Sequence, residues 1–262
     1  MSHNAHIHNQ KHTGQARCPR SRNVKRFYAP WHLFEFIHGE EVKGVNQHPI
    51  RAIPLAIRII SNVDAGLAQQ LDLKPGIRSL GLLTSSIDDV GYTAIDEATK
   101  HAAVEVVYAR SFYAGSGHAS GPLSGEFIGI LGGASPAEVR SGLDAARQVM
   151  ETGACFYALN DEGTHAYYAH VVSRTGSYLS ALAEIAEGEP LAYLIAPPLE
   201  AVYGLDAALK AADVRMCKFY GPPTETNFAG GLLTGSQSAC QAAAEAFADA
   251  VKGIALDPKK IG

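Results

Sequence analysis

The chain has 262 residues, 47% of them hydrophobic and 18% charged, with a formal net charge of −4. That length can bury one large core or two of roughly 100 residues each, and the charge fraction lies under the usual ~25%. The charge balance excludes a general attraction to nucleic acid, the apolar runs fall short of the ~20 residues of a membrane span, and the four cysteines (Cys18, Cys155, Cys217, Cys240) form no CxxC pair. A soluble cytoplasmic protein with no nucleic acid or membrane partner is expected, since the polar, histidine-rich start does not read as a signal peptide.

Residues 1–51 carry eight Lys and Arg against three acids (Glu35, Glu40, Glu41), and seven of the eleven histidines. With Pro19, Pro30 and Pro49 and no sustained periodicity, they predict an N-terminal extension outside the folded part, flexible over most of its length. Only 31–37 is apolar enough for a short helix or a docking segment, and the histidines leave a metal-binding reading open. Beyond it, β-branched runs bounded by Gly and Pro, and apolar spacings of three and four, predict the elements. Strands are expected at 54–61 and 79–84, with a helix at 63–71 between them. A helix at 95–103, strands at 104–111 and 126–131 and a helix at 136–150 follow. Further along, strands are expected at 168–173, 191–196, 214–220 and 228–233, with helices near 177–185, 200–211 and 237–251.

This second series repeats the first. Ile95-Asp96-Glu97-Ala98-Thr99-Lys100 returns as Leu205-Asp206-Ala207-Ala208-Leu209-Lys210, 110 residues later. Ile59-Ile60-Ser61 returns as Val171-Val172-Ser173 at an offset of 112, and Ile130-Leu131-Gly132-Gly133 as Leu232-Leu233-Thr234-Gly235 at 102. Three matches in one order, with the offset shrinking as loops shorten, predict a duplicated α/β domain. The boundaries expected are 52–153 and 165–255.

Several stretches carry a more specific likeness: Arg78-Ser79-Leu80-Gly81-Leu82, Asp96-Glu97-Ala98-Thr99-Lys100, His170-Val171-Val172-Ser173-Arg174-Thr175-Gly176-Ser177-Tyr178 and Ala196-Pro197-Pro198-Leu199-Glu200. Through them the chain from about 53 to 254 resembles the tandem-domain shell proteins of bacterial microcompartments, closest to the ethanolamine-utilisation type. The N-terminal extension departs from that pattern. The resemblance implies an α/β (α+β) fold of two permuted, ferredoxin-like microcompartment domains. It also implies a homotrimer forming a flat pseudo-hexamer that tiles with other microcompartment shell proteins.

The same resemblance implies two sites. Asp88, Asp89, Glu126 and Phe156 match residues around a small pore where ethanolamine or another small metabolite, a cationic alcohol, can sit. Carboxylates bond an ammonium through charge-assisted hydrogen bonds, and an aromatic face adds roughly 0.5–2 kcal/mol. Read from the residues alone, the aspartates are equally ordinary turn or capping residues, and Glu126 a solvated strand end. The second site is a central gate made by two loops. Phe112, Tyr113, Gly115, Gly117 and His118 lie in one, and Pro222, Pro223 and Glu225 in the other. Gly and Ser content predicts an ordinary surface loop just as well.

An enzyme is not expected. His118 between Ser116 and Ser120 lacks the GxSxG context of a hydrolase elbow, and Gly132-Gly133 lacks both GxGxxG and a Walker lysine. No cofactor is implied. The metal question stays open, because Asp88, Asp89 and Glu126, with or without His118, have the chemistry for a hard cation or zinc. The alternative to a shell tile is a soluble small-molecule binding module built from the same two repeats.

Overall fold

The computed structural model describes residues 47–113 and 121–261. Their first half runs β1 (Pro49–Arg51), β2 (Pro54–Ile60), α1 (Ala65–Gln70), β3 (Ser79–Ser85), α2 (Asp88–His101), β4 (Val104–Ser111), β5 (Phe127–Gly133) and α3 (Pro136–Thr152). The second half runs β6 (Cys155–Ala158), β7 (Ala166–Val172), α4 (Ser177–Ala183), β8 (Leu191–Ala196), α5 (Pro198–Ala211), β9 (Val214–Tyr220), β10 (Ala229–Gly235) and α6 (Gln237–Leu256).

One sheet has the order β2-β3-β5-β4 and the other contains β7-β8-β10-β9, the same pattern of neighbours. The second sheet continues outward through β6 to β1, where Ile50 pairs with Phe156. Residues 49–51, placed by sequence in the extension, are therefore a strand. A strand of three residues is too short to show a period of two. Among the described residues no helix is long and apolar enough to cross a membrane.

The second sheet is covered on both faces, as the uniformly buried strand β8 shows. Ala192, Leu194 and Ala196 face Ala201, Leu205, Cys240 and Phe247 of α5 and α6. Tyr193 and Ile195 face the other way, into a cluster with Tyr168 of β7, Leu179 of α4, and Val90, Ala94 and Ile95 of α2. Burying each large apolar side chain contributes about 1.5–3 kcal/mol, so the face shared by the two halves is part of the core rather than a loose contact.

Helix α3 starts with a capping box between Ser135 and Glu138, and the Ser236 hydroxyl caps α6 on the Ala239 N–H at 3.1 Å. Helix α2 begins at Asp88, seven residues before the sequence predicts. Its first two turns hold Gly91 and Thr93, weak helix formers. Gly91 is there for packing: a Cβ would stand 2.5 Å from the Phe127 ring. At the other end of α2 the Asp96 carboxylate, 1% exposed, accepts the Gly176 N–H and the Leu179 N–H, each at 2.8 Å. That contact pins the start of α4 to α2.

Candidate functional site

Asp88 and Asp89 are the first two residues of α2 rather than part of a turn, with no side-chain cap before them. The positive end of the helix dipole favours carboxylates there. Both are nonetheless 6% exposed, because β4, β8 and the loop after β9 close over them. They line a cavity of about 270 Å³ shared with Tyr92, Tyr178, Tyr193 and Tyr220.

The polar contacts are specific. The Tyr193 hydroxyl donates to Asp89 Oδ1 at 2.6 Å, and the Thr226 hydroxyl to Asp88 Oδ2 at 3.3 Å. Asp88 Oδ1 accepts the Asp89 N–H at 2.9 Å, and the Ser111 hydroxyl also reaches Asp88. Behind them Thr93 bonds Tyr168 Oη at 2.8 Å and donates to the Asp89 carbonyl at 3.1 Å.

Burial raises the Asp88 carboxyl above its usual range, against hydrogen bonds from Ser111, Asp89 and Thr226. Asp89 is pushed well above its usual range, by burial first and by the charge of Asp88 second. Glu126 stands directly before β5, where its N–H donates to the Ser85 carbonyl at 2.9 Å. Its carboxyl rises to about 7, through burial and then the Asp88 charge. Among the described residues none of these three acids takes part in an ion pair. Clustered carboxylates without a counter-charge hold protons and attract a cation.

The structure brings Asp88, Asp89 and Glu126 together but not Phe156. That ring is 4% exposed, stacks on Tyr168 with centroids 5.1 Å apart, and meets Phe228 edge-on at 5.6 Å. It belongs to the core one aromatic layer behind the cavity. It sits on β6, paired with Ile50 of β1, and its ring packs into the core cluster with Tyr168 and Phe228.

The two expected sites adjoin. Ser111, at the start of the first gate loop, and Thr224, Glu225 and Thr226 of the second all line the acidic cavity. Phe112 is half-buried, while Tyr113, Pro222, Pro223 and Glu225 are exposed. Gly115, Gly117 and His118 lie outside the described residues. The second loop is closed by its own hydrogen bonds, from Thr224 N–H to the Phe228 carbonyl at 2.9 Å and from Asn227 N–H to the Thr224 carbonyl at 3.0 Å. Among the described residues no group of three His, Cys, Asp or Glu is placed to hold a metal ion.

Sequence reasoning missed the tyrosines. Tyr193 carried a signal, as the one hydroxyl in an otherwise apolar, fully buried strand, where it requires a partner.

Comparison with known proteins gives the context. The BMC domain family matches residues 79–159. The bacterial microcompartment shell protein EutL of Clostridium perfringens is 63% identical over 209 residues, which cover 80% of this chain and 96% of that protein. The chain belongs to the EutL family of bacterial microcompartment shell proteins. EutL of Salmonella typhimurium is 56% identical over 209 residues, covering 80% of this chain and 95% of its own length. Among solved structures, a monoclinic crystal form of Clostridium perfringens EutL superposes with a TM-score of 0.79 at 61% identity, covering 82% of this chain and 98% of that one. The ethanolamine utilization protein EutL of Leptotrichia buccalis gives 0.80 at 57% identity, covering 84% and 100%. A EutL-family chain is a structural component of a microcompartment shell inside the cell, not an enzyme.

Proposed function

We propose that the chain is the unit of a pore-bearing shell tile. Three copies close into a flat six-sided ring, each supplying two microcompartment domains at 52–153 and 165–255, and rings join other shell proteins edge to edge. The cavity at Asp88 and Asp89 is the selective part of a small pore in each chain. Its traffic is a small cationic amino alcohol, with ethanolamine the candidate that the name of the Leptotrichia buccalis relative suggests.

The observation that carries this reading is the buried pair Asp88 and Asp89 beside an aromatic-walled cavity, with the half-buried Glu126 close by and no ion-pair partner for any of the three among the described residues. An ammonium entering there meets carboxylates that have no other positive partner among the described residues, and charge-assisted bonds are roughly twice as strong as neutral ones. The tyrosine walls add cation–π attraction while leaving the hydroxyl end of the ligand free to bond. Phe112, Tyr113 and the loop holding Pro222, Pro223 and Glu225 gate a second pore at the ring's centre. Thr226, bonded to Asp88, couples that loop to the acidic cavity.

Titration calorimetry with ethanolamine tests the pore. Saturable binding is expected for the natural chain, and none for the Asp88→Ala, Glu126→Ala double variant. Equal binding by both would overturn the assignment. Light scattering separates the tile from a dispersed binding module: a ring weighs three times the 27.8 kDa of one chain.

A further inference from the structure

The acids around the cavity are not hydrogen-bonded alike, and the difference decides where a proton sits. Asp88 is saturated. Its Oδ1 accepts the Asp89 N–H at 2.9 Å, its Oδ2 accepts the Thr226 hydroxyl at 3.3 Å, and the Ser111 hydroxyl reaches it too. The Asp89 carboxyl accepts one donor only, the Tyr193 hydroxyl at 2.6 Å on Oδ1. Among the described residues no hydrogen bond reaches Asp89 Oδ2, and no fully enclosed side-chain oxygen or nitrogen lacks a partner. Asp89 Oδ2 therefore faces the open space of the cavity, although the residue is only 6% exposed.

The elements packed around these acids bring hydroxyls rather than positive charge. From α4, β8 and β9 come Tyr178, Tyr193 and Tyr220, whose phenols burial holds above their usual range, so they stay protonated donors. Tyr92 of α2 is raised by burial as well, and bonds Ser111 Oγ at 2.9 Å. Two further charged side chains line the cavity among the described residues, Arg110 of β4 and Glu225 of the loop after β9. They are opposite in sign and exposed, and neither forms an ion pair with Asp88, Asp89 or Glu126. The start of α2 offers roughly half a positive charge, enough to favour one carboxylate and not three.

We propose that the cavity is a proton–cation exchange site: Asp88 is its fixed anion, Asp89 and Glu126 hold a proton while the cavity is empty, and an ammonium enters by sending that proton to solvent. The inference rests on the pore reading above and adds how the site binds. The exchange is one for one. A carboxyl O–H on Asp89 or Glu126 breaks, water or buffer takes the proton, and an ammonium N–H donates to the carboxylate left behind. The charge of the site is the same before and after, so a buried group never carries the full repulsion of its neighbours. Burial, which raises Asp89 well above its usual range and Glu126 to about 7, keeps the proton in place near neutrality. Acids this close titrate as a set, and the proton belongs to the set rather than to one residue. Selectivity follows from the exchange. A neutral alcohol or aldehyde brings no charge to replace the proton, whereas an amine that is protonated in water does. Tyr193 is a positioning residue here: its hydroxyl steadies the ionised Asp89 and leaves Oδ2 for the ligand.

Calorimetry of ethanolamine binding to the full chain at pH 6, in phosphate and in MES, counts the proton. The two heats should differ by the difference in buffer ionisation enthalpy for close to one proton per ethanolamine bound. Affinity should rise by about tenfold to a hundredfold from pH 6 to pH 8, since each proton released is worth about tenfold per pH unit. Ethylene glycol, with a hydroxyl in place of the ammonium, should show no saturable binding. Ethanolamine binding with equal heats in both buffers, or with one affinity from pH 6 to pH 8, would overturn the exchange and leave the pore standing. Ethylene glycol binding as tightly as ethanolamine would also overturn it. No ethanolamine binding at either pH would overturn the pore reading together with the exchange. Tyr193→Phe keeps the ring and loses the donor, so the rise of affinity should move up by at least about half a pH unit. A pH profile left in place, or merely lowered by the same factor throughout, would overturn the role given to Tyr193.

Discussion

Helix α2 is exposed only at His101, whereas the matching helix α5 shows solvent a stripe running from Leu199 to Lys210. The two share their register, their Asp and Lys four residues apart and their place beside a four-strand unit of the same order. What differs is the side chain at the two starts. Asp88 and Asp89 open α2, Pro198 and Leu199 open α5, and only the first pair is covered by another element of the chain. The two helices hold matching places in the repeat, and the acidic pair at the start of α2 gives it a chemistry that α5 lacks. The acids were affordable on α2 because β8 and the loop after β9 bring hydroxyls, from Tyr193 and Thr226, to meet them.

The largest effect expected from erasing this difference is at Gly176. The Gly176→Asp substitution loosens the cover that α4 gives to α2, at a place where a Cβ would lie 2.3 Å from Thr99 Oγ1. It should cost about 3–5 kcal/mol, since a carboxylate is driven against the buried Asp96. Chemical denaturation measures it, and a loss below about 1 kcal/mol would mean that the contact is not tight.

The Asp89→Leu substitution makes the start of α2 like that of α5. Ethanolamine binding should disappear, while stability changes by no more than about 1.5 kcal/mol. Removing a buried charge is often neutral or favourable, and the Tyr193 hydroxyl left without its acceptor opposes that gain. A variant that still binds would relocate the selective group to Asp88 and Glu126.

The smallest effect is a pH dependence. Glu126 titrates near 7 in the folded protein against an ordinary 4.5, so the folded state holds its proton more tightly than the unfolded one. Stability from this group is then full below about 4.5 and is lost as pH rises toward 7, the reverse of a salt-bridged acid. His170 pulls the other way. Burial, ahead of the Lys100 charge, lowers it from 6.5 to about 4, so its contribution is lost as pH falls below 6.5. The two partly cancel in the natural chain. Comparison with Glu126→Gln isolates the first: the natural chain should lose stability relative to the variant between pH 5 and 7.5. Parallel curves would remove Glu126 from the charged cluster.

The repeat was legible because its matches fall on strand ends and helix faces, where register constrains residue type. Asp96 and Lys100 recur as Asp206 and Lys210 even though their surroundings differ. Strands β1 and β6 were not legible, having three and four residues and owing their pairing to each other across more than a hundred positions. The candidate site was half legible. Asp88 and Asp89 are adjacent in sequence, but the hydroxyls and rings that meet them come from residues 92, 111, 178, 193, 220 and 226, and only the fold gathers these. Phe156 misled for the same reason. Its place after the long helix says nothing of which face of β6 it takes, and in the fold the ring packs on Tyr168 and Phe228 instead of lining the cavity.

Strand β1 also fixes an address. Pro49–Arg51 is the outermost strand of the second sheet, and two residues later the chain starts the first sheet at Pro54. Whatever precedes residue 47 is therefore attached at a sheet edge clamped to β6. In a closed ring of three copies, a passenger joined to that end would be presented at three fixed points, 120° apart. A fluorescent protein or an enzyme fused there would be arrayed over the surface of a shell at a density set by the lattice, not by the linker.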